Sequence, residues 1–308
     1  MSSTTPSALW IAVSLVLSVV FWGGNNVGLK YLAHEWPPAW TAAARFIIAG
    51  TAMLIVMRWT DWMGKVTRLT PAQNRSLWWR GGVLLAVFML GCNFAFRYLP
   101  ASHFALHMAA APVWALLFEG GLTRSWKTFR QIGAVALAFG GVGVLLWPAF
   151  KAVEAGIFGE LLGLACGLGW TIYSRQSRHL AQTIPPVEVT ARSMWRAGFL
   201  LLPFGLLELH SRPIRFDLPN VGALLYCALL GAAAAYGLWN RALTLWPTSR
   251  VFLFSNLIPV TTMAGAHAIL GEPLTPTFAG AMVLILLGVL LGVVDFGRRV
   301  GRWWTPED

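Results

Sequence analysis

The chain has 308 residues, of which 57% are hydrophobic and 11% charged, and its formal net charge is +11. An ordinary soluble domain carries about 25% charged residues, so the composition excludes that class and predicts an integral membrane protein. The Lys and Arg residues form short clusters between apolar runs, not one continuous basic face, and we expect no nucleic-acid partner. Cys92, Cys166 and Cys227 lie inside apolar runs without metal-binding spacing, so we expect packing roles, no metal site and no cofactor.

Ten apolar stretches are long enough to cross about 30 Å of hydrocarbon. In chain order they cover residues 8–29, 38–58, 78–97, 101–121, 128–148, 157–176, 187–208, 217–239, 247–269 and 275–297. The first stretch is long for a signal peptide, and no Lys or Arg precedes Lys30, so we predict that it is the first transmembrane helix. The fold class predicted is therefore an all-α integral membrane protein with ten transmembrane helices.

The two halves of the chain resemble each other at a shift of about 148 positions. Trp22 falls on Trp170, and the run from Leu32 to Pro38 falls on a matching run, 180–186. After one residue of slippage, Asn93, Pro100, Pro112, Gly133 and Gly141 fall on Asn240, Pro247, Pro259, Gly280 and Gly288. We predict two five-helix repeats, residues 1–150 and 151–308, forming one bundle. Because five is odd, the second repeat enters the bilayer from the opposite side, an inverted repeat that is typical of transporters.

The distribution of basic residues predicts the orientation of the bundle. Most of them fall on one side, which the positive-inside rule assigns to the cytoplasm: Arg58, Lys65, Arg68, Arg75, Arg80, Arg124, Lys127, Arg130, Arg175, Arg178, Arg241, Arg250, Arg298, Arg299 and Arg302. Only Lys30, Arg97, Lys151, Arg212 and Arg215 fall on the other side. Both termini are thus expected in the cytoplasm, with the protein in a bacterial-type inner membrane. We expect a monomer, and the glycine-rich fifth and tenth spans leave a dimer open.

Polar and aromatic side chains deep in the spans are the candidates for substrate contact, since an unsatisfied polar group in hydrocarbon costs several kcal/mol. The candidates are Trp22, Asn25, Asn93, His103, His107, Trp170, Tyr173, Trp239 and Asn256. For each of them a packing or interhelical hydrogen-bonding role is the alternative. His103 and His107 are four residues apart and share one helix face, where they could relay protons or bond to neighbouring backbone.

Charged and helix-breaking residues within the spans complete the expectations. The acidic residues fall in loops or near span ends, so we expect no deep carboxylate, which leaves facilitated diffusion or a relay through His107. Arg45, Arg192 and Arg196 lie furthest inside apolar runs and either snorkel, pair with a helix end or contact a substrate carboxylate. Pro112 and Pro259 are expected to kink the fourth and ninth helices.

Other functional classes find little support. A membrane enzyme would need a nucleophile, metal cluster or acid pair, but no HExxH or GxSxG motif occurs, and His103 with His107 lacks a third ligand. A channel would need a continuous polar or charged pore lining, which these apolar spans do not offer. Within transport, import and a phosphorylated substrate such as a nucleotide sugar remain alternatives. Phosphate would require several inward-facing Lys or Arg residues.

Several motifs give the sequence a family resemblance. These are Arg45-Phe46, Pro247-Thr248-Ser249, Pro259-Val260, Leu270-Gly271-Glu272-Pro273-Leu274-Thr275 and the run from Gly280 to Gly288. With ten spans in two halves, the chain resembles the drug/metabolite transporter superfamily and its EamA repeats over nearly its full length. The first half departs from the Leu-Gly-Glu-Pro-Leu-Thr pattern, with only Phe118-Glu119-Gly120-Gly121-Leu122-Thr123 at a shifted position. In its many Trp residues, its Pro37-Pro38 pair and its Asn25-Asn26 pair, the chain is similar to YddG-type exporters of aromatic amino acids.

The resemblance implies a cavity lined mainly by the first, third, fourth, sixth, eighth and ninth helices, with the fifth and tenth at the rear. The candidate residues lie on those lining helices. An aromatic amino acid joins an apolar ring to a zwitterion, so a cavity with stacking faces and few polar groups suits it. The expected function is export of such small amphipathic metabolites through the lipid bilayer by alternating access.

Overall fold

The computed structural model describes residues 8–111, 114, 126–151, 156–211, 213–246, 251 and 254–293. These residues form helices joined by short connections, and no strand occurs among them. The helices are α1 (Ala8–Glu35), α2 (Pro38–Trp59), α3 (Pro71–Tyr98), α4 (Ala101–Ala109), α5 (Trp126–Lys151), α6 (Gly156–Leu180), α7 (Pro186–Ser211), α8 (Leu218–Leu245), α9 (Ile258–Leu270) and α10 (Pro276–Val293).

The tandem prolines begin the second helix of each half. Pro37 is extended, with φ −61° and ψ 139°, and Pro38 opens α2. Proline suits a first helical turn because its missing N–H would have no partner there. In the second half, Pro186 opens α7 in the same way. The repeated Pro-Pro pair therefore produces the same helix boundary twice.

A π-helical segment interrupts both α3 and α8. The segments are Leu77–Val83 and Tyr226–Ala234, and they occupy matching places in the two halves. π segments are uncommon and occur frequently at functional sites. Here each one presents glycine to a neighbouring helix: Gly82 meets Arg196 of α7, and Gly231 meets Asn25 of α1.

The helices α2 and α7 pack in antiparallel directions. A Cβ on Gly50 would lie 2.6 Å from the backbone nitrogen of Trp195, and one on Gly198 would lie 2.8 Å from that of Ile47. Gly205 faces Trp40 further along. The contacting residue numbers therefore increase along α7 as they decrease along α2, so the two helices are antiparallel. Glycine permits the close approach that membrane helices use.

The helices α5 and α10 form a second antiparallel pair. Gly141 faces the carbonyl oxygen of Ala281, Gly288 faces that of Ala134, and Gly133 faces Leu291. The other principal helix contacts also come in repeat-related pairs, in which each helix is exchanged for its equivalent in the other half. Helix α1 packs on α8 and α9, and its equivalent α6 packs on α3 and α4. In the same way, α2 contacts α8 and α7 contacts α3.

Within the described residues, five helices are long and apolar enough to cross a membrane: Leu9–Glu35, Pro38–Trp59, Pro71–Tyr98, Ile157–Leu180 and Leu218–Leu245. Shorter apolar helices are Ile132–Val144 within α5, and α9 and α10. The helix α7 is long enough but carries Glu188, Arg192 and Arg196. The protein is thus an all-helical, multi-pass membrane protein, while the count of ten spans stays a prediction.

The structure of the ninth span differs from the prediction that Pro259 kinks the middle of a helix. Asn256 and Leu257 form a turn, the helix α9 begins at Ile258, and Pro259 lies in its first turn. The proline marks a helix start, because a ring without an N–H is tolerated at that position. The expected kink at Pro112 lies outside the described residues.

Candidate functional site

An aromatic cluster joins α1 to α8 in the interior. The ring centroid of Trp22 lies 5.3 Å from that of Tyr236, in an edge-on arrangement, and 5.0 Å from that of Trp239. Trp239 is buried. We call Trp22, Tyr236 and Trp239 the α1/α8 aromatic cluster. Rings at such spacings offer both apolar faces and polar edges to a neighbouring aromatic group.

A second aromatic cluster lies at the repeat-related place between α3 and α6. Trp170 lies 5.4 Å from Phe88 and 5.7 Å from Tyr173, measured between ring centroids. Tyr173 is buried, and Trp170 is partly buried. The structure thus brings together Trp170 and Tyr173, as it brings together Trp22 and Trp239.

Arg45 lies between α1, α3 and α8 and is only 4% exposed. Its Nη1 donates to Oδ1 of Asn25 at 3.3 Å, its Nη2 lies 3.4 Å from Sδ of Met89, and the guanidinium is 4.7 Å from the centre of the Phe46 ring. Its Nε is buried and finds no hydrogen-bond partner among the residues that the structure describes. A lone arginine inside the second apolar run was the sequence signal, although Arg45 is not among the nine candidates.

The other two deep arginines have different surroundings. Nε of Arg192 pairs with Glu188 of the same helix at 2.7 Å, and its Nη2 donates to the carbonyl oxygen of Thr67 at 3.0 Å. Arg196 donates to Oδ1 of Asn74 at 2.5 Å, and its guanidinium lies 5.3 Å from the Trp78 ring. Both arginines therefore connect α7 to neighbouring polar or aromatic groups of the protein.

The asparagines make mainly interhelical contacts. Asn93 is buried, and its amide donates to the carbonyl oxygen of Pro38 at 3.1 Å, which ties α3 to the start of α2. Asn26 donates to Oγ1 of Thr262. Asn25 accepts from Arg45, whereas Asn256 lies partly buried in the turn before α9.

His103 and His107 meet a carboxylate. Nδ1 of His103 and Nε2 of His107 each lie 2.5 Å from a different oxygen of Glu160. Glu160 is near the start of α6, as expected for a span end, yet it is 4% exposed. Glu160 is buried at this span end because α4 packs over the first turns of α6, and the expectation of no carboxylate at mid-membrane stays a prediction. The His103–Glu160–His107 cluster lies apart from the aromatic clusters, with His103 stacked 5.9 Å from Phe278.

Three further carboxylates have structural partners. Glu272, in the Leu-Gly-Glu-Pro-Leu-Thr motif, accepts from the backbone N–H groups of Ala101 and Ser102 at the start of α4. Glu208 accepts from the backbone N–H of Ala39 at the start of α2. Negative charge at a helix N-terminus is stabilising, because unpaired N–H groups point outward there. Glu188 is held by Thr67 and Arg192.

Two cavities lie away from the candidates. A surface groove of about 450 Å³ runs between α3 and α7, where Trp78, Trp79, Arg75 and Leu200 line it. A much smaller space of about 10 Å³ is bounded by residues of α4, α5 and α6 with Trp114. Neither is lined by any of the nine candidate residues. The three cysteines are buried and free, which agrees with the packing role expected.

Comparison with known proteins gives matches along nearly the whole chain. The model of the EamA-like transporter family matches twice, at residues 9–147 and 157–294. A "Probable amino-acid metabolite efflux pump" of Salmonella typhimurium is 29% identical over 296 residues, covering 93% of this chain and 95% of that protein. A protein of the same name from Escherichia coli is 28% identical over 299 residues, with the same coverage of both chains.

More distant likenesses agree with these. An "Uncharacterized transporter" of Archaeoglobus fulgidus is 26% identical over 290 residues, covering 92% of this chain and 98% of that protein. A solved crystal structure aligns with a TM-score of 0.60 at 19% identity, over 93% of this chain and 98% of that one, which bears on the fold alone. The chain therefore belongs to the EamA-like transporter family, is a membrane transporter of that family and carries two EamA repeats.

Proposed function

We propose that the protein exports small amphipathic metabolites, most of all aromatic and other amino acids, across a bacterial inner membrane. The observation that carries this proposal is the similarity over 93% of the chain to two proteins named probable amino-acid metabolite efflux pumps. The two interior aromatic clusters support the aromatic preference, since a ring substrate stacks favourably against Trp and Tyr.

The substrate contacts proposed are the side chains of those clusters and their neighbours. Trp22, Asn25, Trp170, Tyr173, Trp239 and Asn256 keep this role in the proposal, as do Asn93, His103 and His107. The amide nitrogen of Asn93 already donates to the carbonyl oxygen of Pro38. Asn93 would therefore contact a substrate through its side-chain oxygen, or after the amide has left Pro38. His103 and His107 would act through Glu160, away from the rings.

The mechanism proposed is alternating access between two inverted halves. The antiparallel packing of α2 with α7 and of α5 with α10 supports it. Helices related by a two-fold axis in the membrane plane run in opposite directions, whereas an axis along the membrane normal would make them parallel. The exchanged sets of helix contacts support the same axis. The orientation proposed has both termini in the cytoplasm.

Transport by purified protein in liposomes tests the function. Labelled phenylalanine, tryptophan, threonine and a nucleotide sugar are offered with and without a pH gradient. We expect the aromatic amino acids to enter fastest. Entry of the nucleotide sugar alone would contradict the amino-acid proposal, and transport only under a pH gradient would exclude uncoupled diffusion.

Variants link this transport to the α1/α8 aromatic cluster. Trp22→Ala removes the ring that contacts both Tyr236 and Trp239, and we expect at least a tenfold loss of phenylalanine flux. Trp59→Ala is the matched control, because Trp59 is 81% exposed at the end of α2. Equal flux in the two variants, with both proteins folded, would assign Trp22 to packing.

A further inference from the structure

We propose that the guanidinium of Arg45 binds the carboxylate of the substrate. The proposal rests on the proposed function and defines the substrate class more narrowly, as a carboxylate joined to a large apolar or aromatic group. Arg45 is not a snorkelling residue. Its side chain starts from the eighth position of the 22-residue helix α2, and only 4% of the residue is exposed.

The charge on Arg45 has no counter-charge within the described part of the chain. The ion pairs found there join Asp61 to Lys65, Glu160 to His103 and His107, and Glu188 to Arg192. A buried charge that lacks an opposite charge is costly, and buried charges are normally paired. An anion from outside the protein would supply the missing partner.

The hydrogen-bonding capacity of Arg45 is also incompletely used. A guanidinium has five N–H donors in a planar fork. Those of Arg45 meet one amide oxygen at 3.3 Å and one thioether sulfur at 3.4 Å, both neutral, and Nε has no partner. A carboxylate matches two parallel N–H donors of arginine, and such bidentate pairs are shorter and stronger than neutral hydrogen bonds.

The position of Arg45 determines what the rest of the substrate would contact. Asn25, which accepts from Arg45, follows Trp22 by three residues on α1, so the two side chains are neighbours on that helix. Trp22 contacts both Tyr236 and Trp239. A carboxylate held at Arg45 would therefore direct an attached ring towards the α1/α8 aromatic cluster. Arg192 is paired with the carboxylate of Glu188. Arg196, whose Nε likewise lacks a partner among the described residues, contacts Asn74 and Trp78, which belong to neither aromatic cluster.

The test compares acids with their amides, which keep the shape but lose the negative charge of the carboxylate. Melting temperature of purified protein is titrated with phenylalanine and phenylalaninamide, and with 3-phenylpropionate and 3-phenylpropionamide. A ligand that binds the native state raises the melting temperature by mass action, so apparent affinities follow. We expect wild type to prefer each acid over its amide by about 10- to 100-fold, the range for hydrogen bonds to charged groups.

The variants isolate Arg45. Arg45→Gln should abolish the preference for the acid and leave amide affinity unchanged, whereas Arg45→Lys should keep part of it, since charge remains without the fork. Arg196→Gln is the control for losing a buried arginine and should keep the wild-type preference. If Arg45→Gln does not give folded protein, Arg45→Lys decides: an undiminished preference would overturn the proposal.

The panel separates this proposal from the proposed function. Binding of 3-phenylpropionate without phenylalanine would contradict amino-acid transport, while the role of Arg45 is still measured with 3-phenylpropionate and 3-phenylpropionamide. A wild type that binds neither acid, or that binds acid and amide equally, would overturn the role of Arg45.

Discussion

At the scale of single residues, Glu160 holds two imidazoles from α4 in the interior. Glu160→Ala would leave Nε2 of His107 without this acceptor, and Nδ1 of the same ring has no hydrogen-bond partner in the described part of the chain. Breaking a buried charged cluster costs about 3 to 5 kcal/mol. We expect a loss of that size in the free energy of unfolding, measured by SDS titration of the purified protein.

Two comparison variants make this expectation specific. Glu160→Gln keeps the size and one carbonyl oxygen, so it should lose less, about 1 to 3 kcal/mol. Glu35→Ala removes an exposed carboxylate at the end of α1 and should leave stability unchanged. Equal stabilities for Glu160→Ala and Glu35→Ala would mean that the cluster contributes nothing to folding.

The sequence predicted half of this cluster. The spacing of His103 and His107 placed them on one face of α4, because residues four apart are neighbours on a helix. The acid that meets them is 53 residues away from His107 on a different helix, and only tertiary packing buries it. Arg45 shows the same limit of sequence analysis. Its position far inside an apolar run predicts that it lies deep in the bundle. Its lack of a carboxylate partner could not be predicted, because it depends on which side chains of α1, α3 and α8 surround it.

At the scale of elements, glycines set the distance between α2 and α7. A Cβ at Gly50 would lie 2.6 Å from a backbone nitrogen and 2.9 Å from a backbone oxygen of α7, and neither atom can move without shifting the helix. Gly50→Ala should therefore lower the free energy of unfolding by about 1 to 3 kcal/mol, the range for an overpacked interior. SDS titration with helical circular dichroism measures this loss.

The matched control is Gly222→Ala in α8. No described residue lies within 4 Å of a Cβ at Gly222, so alanine there only reduces the freedom of the unfolded chain. We expect a change of less than about 1 kcal/mol, in the stabilising direction. A Gly50→Ala protein as stable as Gly222→Ala would show that α2 and α7 are not in close contact in the bilayer or micelle.

The elements themselves were predictable where local chemistry decides them. Pro37 and Pro38 fixed a helix boundary, since proline restricts both itself and the preceding residue. No motif of the sequence marks the π segments Leu77–Val83 and Tyr226–Ala234, in which glycines meet neighbouring helices. The ninth span likewise contained a helix start at Pro259, a position that a hydrophobic run cannot distinguish from a kink.

At the scale of the whole molecule, the sequence repeat and the helix contacts point to the same relation between the halves. The shift of about 148 positions predicts which helices are equivalent, and α2 with α7 and α5 with α10 are such pairs. Their antiparallel packing means that equivalent loops should open on opposite sides of the membrane. The loop after α1 should then face the periplasm and the equivalent loop after α6 the cytoplasm, if the termini are cytoplasmic as proposed.

Cysteine labelling of intact cells measures those sides directly. Cys92, Cys166 and Cys227 are buried and are first replaced by Ala, and single cysteines are then placed at the exposed positions Glu35, Lys65, Gln182 and Arg215. We expect an impermeant maleimide to label Glu35→Cys and Arg215→Cys from outside, and Lys65→Cys and Gln182→Cys only after permeabilisation. Labelling of Glu35→Cys and Gln182→Cys from the same side would contradict the inverted repeat, since these loops follow equivalent helices. Opposite labelling with the sides reversed would keep the inverted repeat and place the termini outside, against the positive-inside rule.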